Sequence, residues 1–161
     1  MNLSTNITLE MLTRSQTATR KGIEEQFNPS PEIIERLKDL SVNVIERLLV
    51  IFPDLFISSG YRSPELNTII GGANSSQHTK GEAVDLGITK TSNISIARAL
   101  LSAKIPFDQM IVEFGTFEKP QWIHISYKKE RLRNEILRAE TVNGKTVYTK
   151  VNPEQILNIK L

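Results

Sequence analysis

His78 and His124 are the only two histidines of the chain, and each stands in a segment suited to holding a cation. His78 lies within Ser75 to Leu86, read as SSQHTKGEAVDL, with a carboxylate, Asp85, seven residues further on. His124 lies in QWIHIS, Gln121 to Ser126. Two imidazoles and one carboxylate form the ligand set of a catalytic zinc ion that keeps a fourth position open for water. The chemistry such a set would support is metal-assisted hydrolysis.

The seven-residue spacing does not place His78 and Asp85 on adjacent turns of one helix face, as HExxH does. Gly81 instead predicts a loop around His78. The alternation from Ala83 to Ile88 predicts a strand, with Val84, Leu86 and Ile88 on one face and Ala83, Asp85 and Gly87 on the other. Small Gly81 and Ala83 are expected to let backbone and ion approach. Gln109 to Phe114 and Gln121 to Tyr127 read as a strand pair, in which Trp122, His124 and Ser126 share a face opposite Ile123, Ile125 and Tyr127.

The remaining elements follow from their boundaries. Thr8 can cap a short helix carrying Leu9, Met11 and Leu12. Ser30-Pro31 is a strong helix start. Ile33, Ile34, Leu37, Leu40, Val44, Ile45 and Leu48 then recur at helical spacing until Pro53 ends the run. Leu55 to Ser58 reads as a short strand, and Ser63-Pro64 opens a second helix that Gly71-Gly72 stops. Ile94, Ala97, Leu100 and Leu101 mark another helix. Asn143-Gly144 supplies the positive φ angles of a type I′ turn in a hairpin from Thr141 to Val147. Helices and antiparallel strands in this order give an α+β fold.

With 161 residues, the expectation is a single domain, 1–161, with one hydrophobic core. There is no cysteine, which excludes disulfides, a thiolate nucleophile and Cys-type zinc sites. The net charge is only +2, and Lys and Arg are scattered with no basic run among aromatics, so no nucleic-acid partner is expected. No apolar stretch reaches the roughly 18 residues of a membrane span. The N-terminus lacks the basic start and apolar core of a secretory signal. These features predict a product made in the cytoplasm with no membrane insertion, expected to be monomeric. Gly71-Gly72 lacks the Lys and Ser/Thr of a phosphate-binding loop, and no nucleophile elbow is present.

Four segments together carry a family resemblance: SGYRSPELN (Ser59 to Asn67), SSQHTKGEAVDL, FDQMIVEFG (Phe107 to Gly115) and QWIHIS. The chain resembles the zinc D-Ala-D-Ala carboxypeptidases and related peptidoglycan peptidases, peptidase family M15, subfamily A, including phage endolysins. The resemblance covers roughly Asn6 to Tyr127, and 128–161 would be a C-terminal extension carrying the hairpin. It implies the fold shared with hedgehog signalling domains, a small antiparallel sheet flanked by helices. It also implies zinc held by His78, Asp85 and His124, peptidoglycan peptides as substrates, and a phage lysis enzyme acting on the wall once released.

Arg62 matches the arginine of such enzymes that faces the scissile carbonyl. An always-protonated guanidinium can stabilise the oxyanion that forms when water attacks an amide. One position departs from the pattern. Many members carry Asp or Glu three residues before the second histidine as general base, and here Gln121 stands there. Glu113 is the favoured replacement: in one strand register it is a diagonal neighbour of His124 on the same face, and a one-residue slip would separate them. Glu118, in the expected loop, is the other candidate. The amide at Gln121 also leaves a second reading open, a catalytically silent zinc-containing module that binds the cell wall.

Overall fold

The computed structural model describes residues 1–160, so Leu161, the last residue of the expected domain, lies outside the described residues. Two short helices open the chain, α1 (Leu9–Thr13) and α2 (Gln16–Lys21), capped by the hydroxyls of Thr8 and Ser15. Ser30 caps α3 (Pro31–Leu40), with Pro31 in the first turn. The expected long helix then loosens into one π turn, Ser41–Ile45, before α4 (Glu46–Ile51) resumes. The Ser41 hydroxyl and the Asn43 amide each bond a carbonyl four residues back, Leu37 O at 2.7 Å and Asp39 O at 2.8 Å. Such side-chain competition for helix carbonyls accounts for the widened turn. Leu37, Leu40, Val44, Ile45 and Leu48 still face the core through it.

The sheet has six strands: β1 (Phe56–Ser59), β2 (Ala83–Gly87), β3 (Gln109–Glu113), β4 (Trp122–Ser126), β5 (Glu135–Val142) and β6 (Lys145–Lys150). Their order is β1-β2-β4-β3-β5-β6. Between them lie α5 (Pro64–Ile69), capped by Ser63, and α6 (Ile94–Ser102), while α7 (Pro153–Leu157) follows the last strand. One face of the sheet carries Val84, Leu86, Met110, Val112, Ile123 and Ile125, all buried in the main core together with α3, α4 and α6 residues. The other face carries the candidate chemistry.

The α+β class holds, but the sheet is neither small nor wholly antiparallel. β5 runs parallel to β3, and every other pairing is antiparallel. The cause is the connection after β4, which crosses the start of β3 and enters its far side from the same end. Glu135 N bonds Asp108 O at 3.0 Å where it arrives. A strand that starts there can only run with β3. The segment beyond residue 127 thus contributes two strands to the sheet that carries the site. Asn143 (φ 50°) and Gly144 (φ 74°) make the β5–β6 turn, as their sequence predicts.

Candidate metal centre

The local folding of three segments brings the candidate ligands His78, Asp85 and His124 together. Ser76 starts a 3₁₀ turn, Gln77–Lys80, by accepting the His78 amide, and Gly81 ends it in the left-handed conformation. Gly81 is needed for that ending and for packing, since a Cβ there would lie 2.9 Å from Ile33 Cγ2. It meets α3 and does not make room for the ion, which corrects the sequence expectation. β2 pairs with β4 so that Asp85 sits directly opposite His124. Parity along each strand sends both side chains to the face away from the core.

His78, Asp85 and His124 are all at least 94 % buried (relative exposures 4 %, 4 % and 6 %). His78 Nε2 lies 3.2 Å from His124 Nδ1 and 3.2 Å from Asp85 Oδ1. His124 Nδ1 lies 3.0 Å from Asp85 Oδ1, which closes a nearly equilateral triangle. A tetrahedral zinc with bonds of roughly 2.0–2.1 Å sets its ligand atoms about 3.3 Å apart, so the triangle has the size such an ion requires. The far nitrogens of both rings face oxygens: His78 Nδ1 meets Gly60 O at 2.7 Å and His124 Nε2 meets Gln77 Oε1 at 3.1 Å. With a proton on each far nitrogen, all three inward atoms present lone pairs. A proton can serve one edge of this triangle, whereas a cation serves all three corners. Burial alone would raise the Asp85 carboxyl, but whenever the two rings carry protons toward it, His78 first, they hold it well below the usual carboxylate range, a part that a cation at the three corners would take over.

Arg62 is placed by the N-terminal helices. Tyr61 N bonds Leu12 O at 2.7 Å, and Arg62 N bonds His78 O at 3.2 Å. Fully buried Gln26 ties Thr13 O (2.7 Å), Tyr61 O (2.8 Å) and Ser63 N (2.7 Å) into one unit. The guanidinium bonds Asp85 Oδ2 at 3.1 Å through Nη2 and Ser59 Oγ at 3.1 Å through Nε. It therefore braces the carboxylate oxygen that does not join the triangle, a role its sequence position does not reveal. A cleft lined by Ser59, Tyr61, Arg62 and Ile70, among others, opens beside it.

The backbone at Gly60 must pass close to α1 to put its carbonyl on His78. A Cβ there would stand 2.4 Å from Leu12 O. Gly60→Ala is therefore expected to lower stability by about 1–3 kcal/mol. It should also weaken metal binding, because the carbonyl that receives His78 Nδ1–H has to shift. Thermal melts and chelator competition measure the two effects separately.

The β3–β4 register sets Glu113 opposite Trp122 and Ile111 opposite His124. Glu113 is thus the diagonal neighbour of His124 on the site face, the first of the two registers considered above. Its carboxyl is pushed up to about 7, by burial first and then by the Asp85 charge, with His124, Arg62 and the Trp122 side chain pulling the other way. A carboxylate with that value is matched to proton transfer near neutral pH. Trp122 stacks edge-on against Phe114 at 5.4 Å and lines a second cleft with Gly115, Gln121 and Thr141. Glu118 is exposed in the β3–β4 loop, where its carbonyl accepts from the Ser92 hydroxyl. Gln121 is exposed too, with its backbone N–H bonded to Glu113 O at 2.9 Å.

Two participants escape sequence reasoning, Gln77 and Asp108. Gln77 Nε2 bonds Asp108 Oδ2 at 3.2 Å, so the amide bridges the His124 ring and a fully buried carboxylate. No spacing rule joins a glutamine beside one ligand to an aspartate at the head of a distant strand. No helix among the described residues is long and apolar enough to cross a membrane. A family model described as Peptidase M15 matches residues 5–126. No curated protein matches the chain.

Proposed function

The chain belongs to the peptidase M15 family, and from that premise we propose that it is a zinc-dependent peptidase that cuts peptidoglycan stem peptides or cross-bridges. The observation that carries this reading is the buried triangle of His78 Nε2, Asp85 Oδ1 and His124 Nδ1, three converging lone pairs at tetrahedral spacing. These three atoms would hold the ion. When bound, zinc lowers the pKa of a water and polarises the scissile carbonyl.

The chain's own groups supply the rest. Glu113 takes the proton of the attacking water and returns it to the leaving amine. Arg62, held through Ser59 and Asp85, has further N–H groups to offer the developing oxyanion. A phage lysis role accords with the resemblance of the motifs and belongs to the same proposal.

Digestion of purified peptidoglycan tests it, with the full chain, with chelator, and with zinc restored. Release of muropeptides that stops on chelation and returns with zinc is the expected result, and mass spectrometry of the fragments identifies the bond. Release that persists in chelator rules out the metal mechanism. A zinc-loaded protein that binds the wall but cuts nothing favours the silent module instead, the reading that the amide at Gln121 keeps open. Arg62→Ala is expected to lose about 10²-fold in turnover, comparable to losing one oxyanion donor. Arg62→Lys should recover part of that, since an ammonium cannot reproduce the planar fork. Zinc content is measured alongside, because the same guanidinium braces Asp85, and the fall in kcat should exceed any fall in affinity.

A further inference from the structure

The two imidazoles are oriented by different means. His78 Nδ1 meets a backbone carbonyl, which only accepts, so its inward Nε2 is left bare. His124 Nε2 meets a carboxamide, which can present either its oxygen or its NH₂. Gln77 by itself therefore does not decide which His124 nitrogen carries the proton.

Asp108 decides it. Its carboxylate is fully buried at the head of β3 and receives four N–H groups. Oδ1 accepts from Arg133 N at 3.1 Å and Arg133 Nε at 2.8 Å; Oδ2 accepts from Arg133 Nη2 at 2.8 Å and Gln77 Nε2 at 3.2 Å. Arg131 Nη2 lies a further 3.2 Å from Oδ2. Burial would raise this carboxyl, but Arg133 and then Arg131 keep it below its ordinary value, so it is ionised and can only accept. Gln77 must then turn its NH₂ to Asp108 and its oxygen to His124. That oxygen demands a proton on His124 Nε2, which leaves Nδ1 with the lone pair that the metal needs.

We propose that Asp108, clamped by Arg131 and Arg133, is a positioning residue that fixes the metal-binding tautomer of His124 through Gln77. The inference rests on the zinc reading above. It gives a task to residues 131–133, which lie beyond the family match at 5–126.

The test uses the full chain with two readouts: zinc affinity by chelator competition, and the ring ¹⁵N signals of His124 in zinc-free protein. Wild type should show a proton on His124 Nε2, whether or not Nδ1 also carries one toward Asp85. Asp108→Asn lets a carboxamide donate to Gln77, so Gln77 can flip and move the His124 proton to Nδ1. Zinc affinity should fall by about 10- to 100-fold, the range for loss of such a partner. Gln77→Met, at a half-buried position with little change of shape, should weaken zinc similarly and give mixed tautomers. Combining Gln77→Glu with Asp108→Asn restores an acceptor facing His124 and a donor facing residue 77. Affinity and the Nε2-protonated signal should both return toward wild type.

Wild-type affinity and an unchanged tautomer in Asp108→Asn and Gln77→Met would overturn the inference while leaving the zinc site standing. So would a loss of affinity that the double variant fails to rescue. If wild type binds no zinc, the proposed function falls, and the ¹⁵N spectra of the zinc-free chains still decide whether Asp108 sets the tautomer.

Discussion

Glu113→Gln is expected to cut peptide hydrolysis by about 10²–10⁴-fold, the usual contribution of a general base, with zinc retained. The amide matches the carboxylate in shape but cannot take a proton. Glu113 occupies the position diagonal to His124 on the site face, where burial and the Asp85 charge raise its carboxyl to about 7. Rate should therefore climb with pH through an acid limb that the variant lacks, and a bound cation will pull that limb below 7. Stability gives an independent check in the metal-free protein. The folded value is raised from 4.5 to about 7, so the stabilising influence of the neutral carboxyl is complete below pH 4.5 and is lost as pH rises through 7. Glu113→Gln should match wild type at pH 4 and exceed it by about 2–3 kcal/mol at pH 8. Melting curves at the two pH values measure this. Glu118→Gln, in the exposed loop, should change neither quantity. An inactive Glu118→Gln with an active Glu113→Gln would move the base to the loop.

Removing the metal should produce the other large effect. A ligand that binds only the folded state at a thousandfold excess over its Kd contributes about 4 kcal/mol. For a chain of this size each kcal/mol moves Tm by roughly 2–4 °C. Chelation should thus lower Tm by about 8–16 °C, and zinc should restore it. Asp85→Asn and His124→Ala should each abolish the zinc-dependent shift, since two remaining corners of the triangle cannot hold a tetrahedral ion tightly. A zinc-dependent shift that survives in either variant would place the ion elsewhere.

The parts of this molecule that were legible in the sequence are those set by short-range chemistry. Ser30, Ser63 and Thr8 accept amides three residues ahead, a contact any reader of the chain can anticipate. The alternation from Ala83 to Gly87 fixed which way Asp85 would point, and Asn143-Gly144 fixed a turn. The convergence of His78, Asp85 and His124 was legible because imidazole is so scarce here and both copies stand in matching segments. The π turn was hidden, because Ser41 and Asn43 are compatible with an ordinary helix and only the sum of their back-bonds widens it. The direction of β5 was hidden as well, because it depends on the connection after β4 crossing the start of β3, where Glu135 N meets the carbonyl of a residue far back in the chain, Asp108. Gly81 was misread for a related reason: a small residue near a ligand suggests room for an ion, while its neighbour turned out to be Ile33 of a helix far back in the chain. The register of Glu113 sat between these cases, with two alternatives that differ by one residue and only long-range pairing to choose.

The crossing that lays β5 beside β3 also dictates when the protein becomes safe from itself during synthesis. Until residues 135–142 have left the ribosome, β3 pairs on one side only, with β4, and the backbone of Gln109–Glu113 forms an open edge. That edge is apolar, with Met110, Ile111 and Val112 in succession, and its unpaired N–H and C=O groups are a template for another chain. His78, Asp85 and His124 are all translated by residue 124, well before this edge is closed. A nascent chain can therefore bring its three candidate metal-binding side chains together while still being prone to aggregate, and the β5–β6 hairpin acts as the cover that ends that interval.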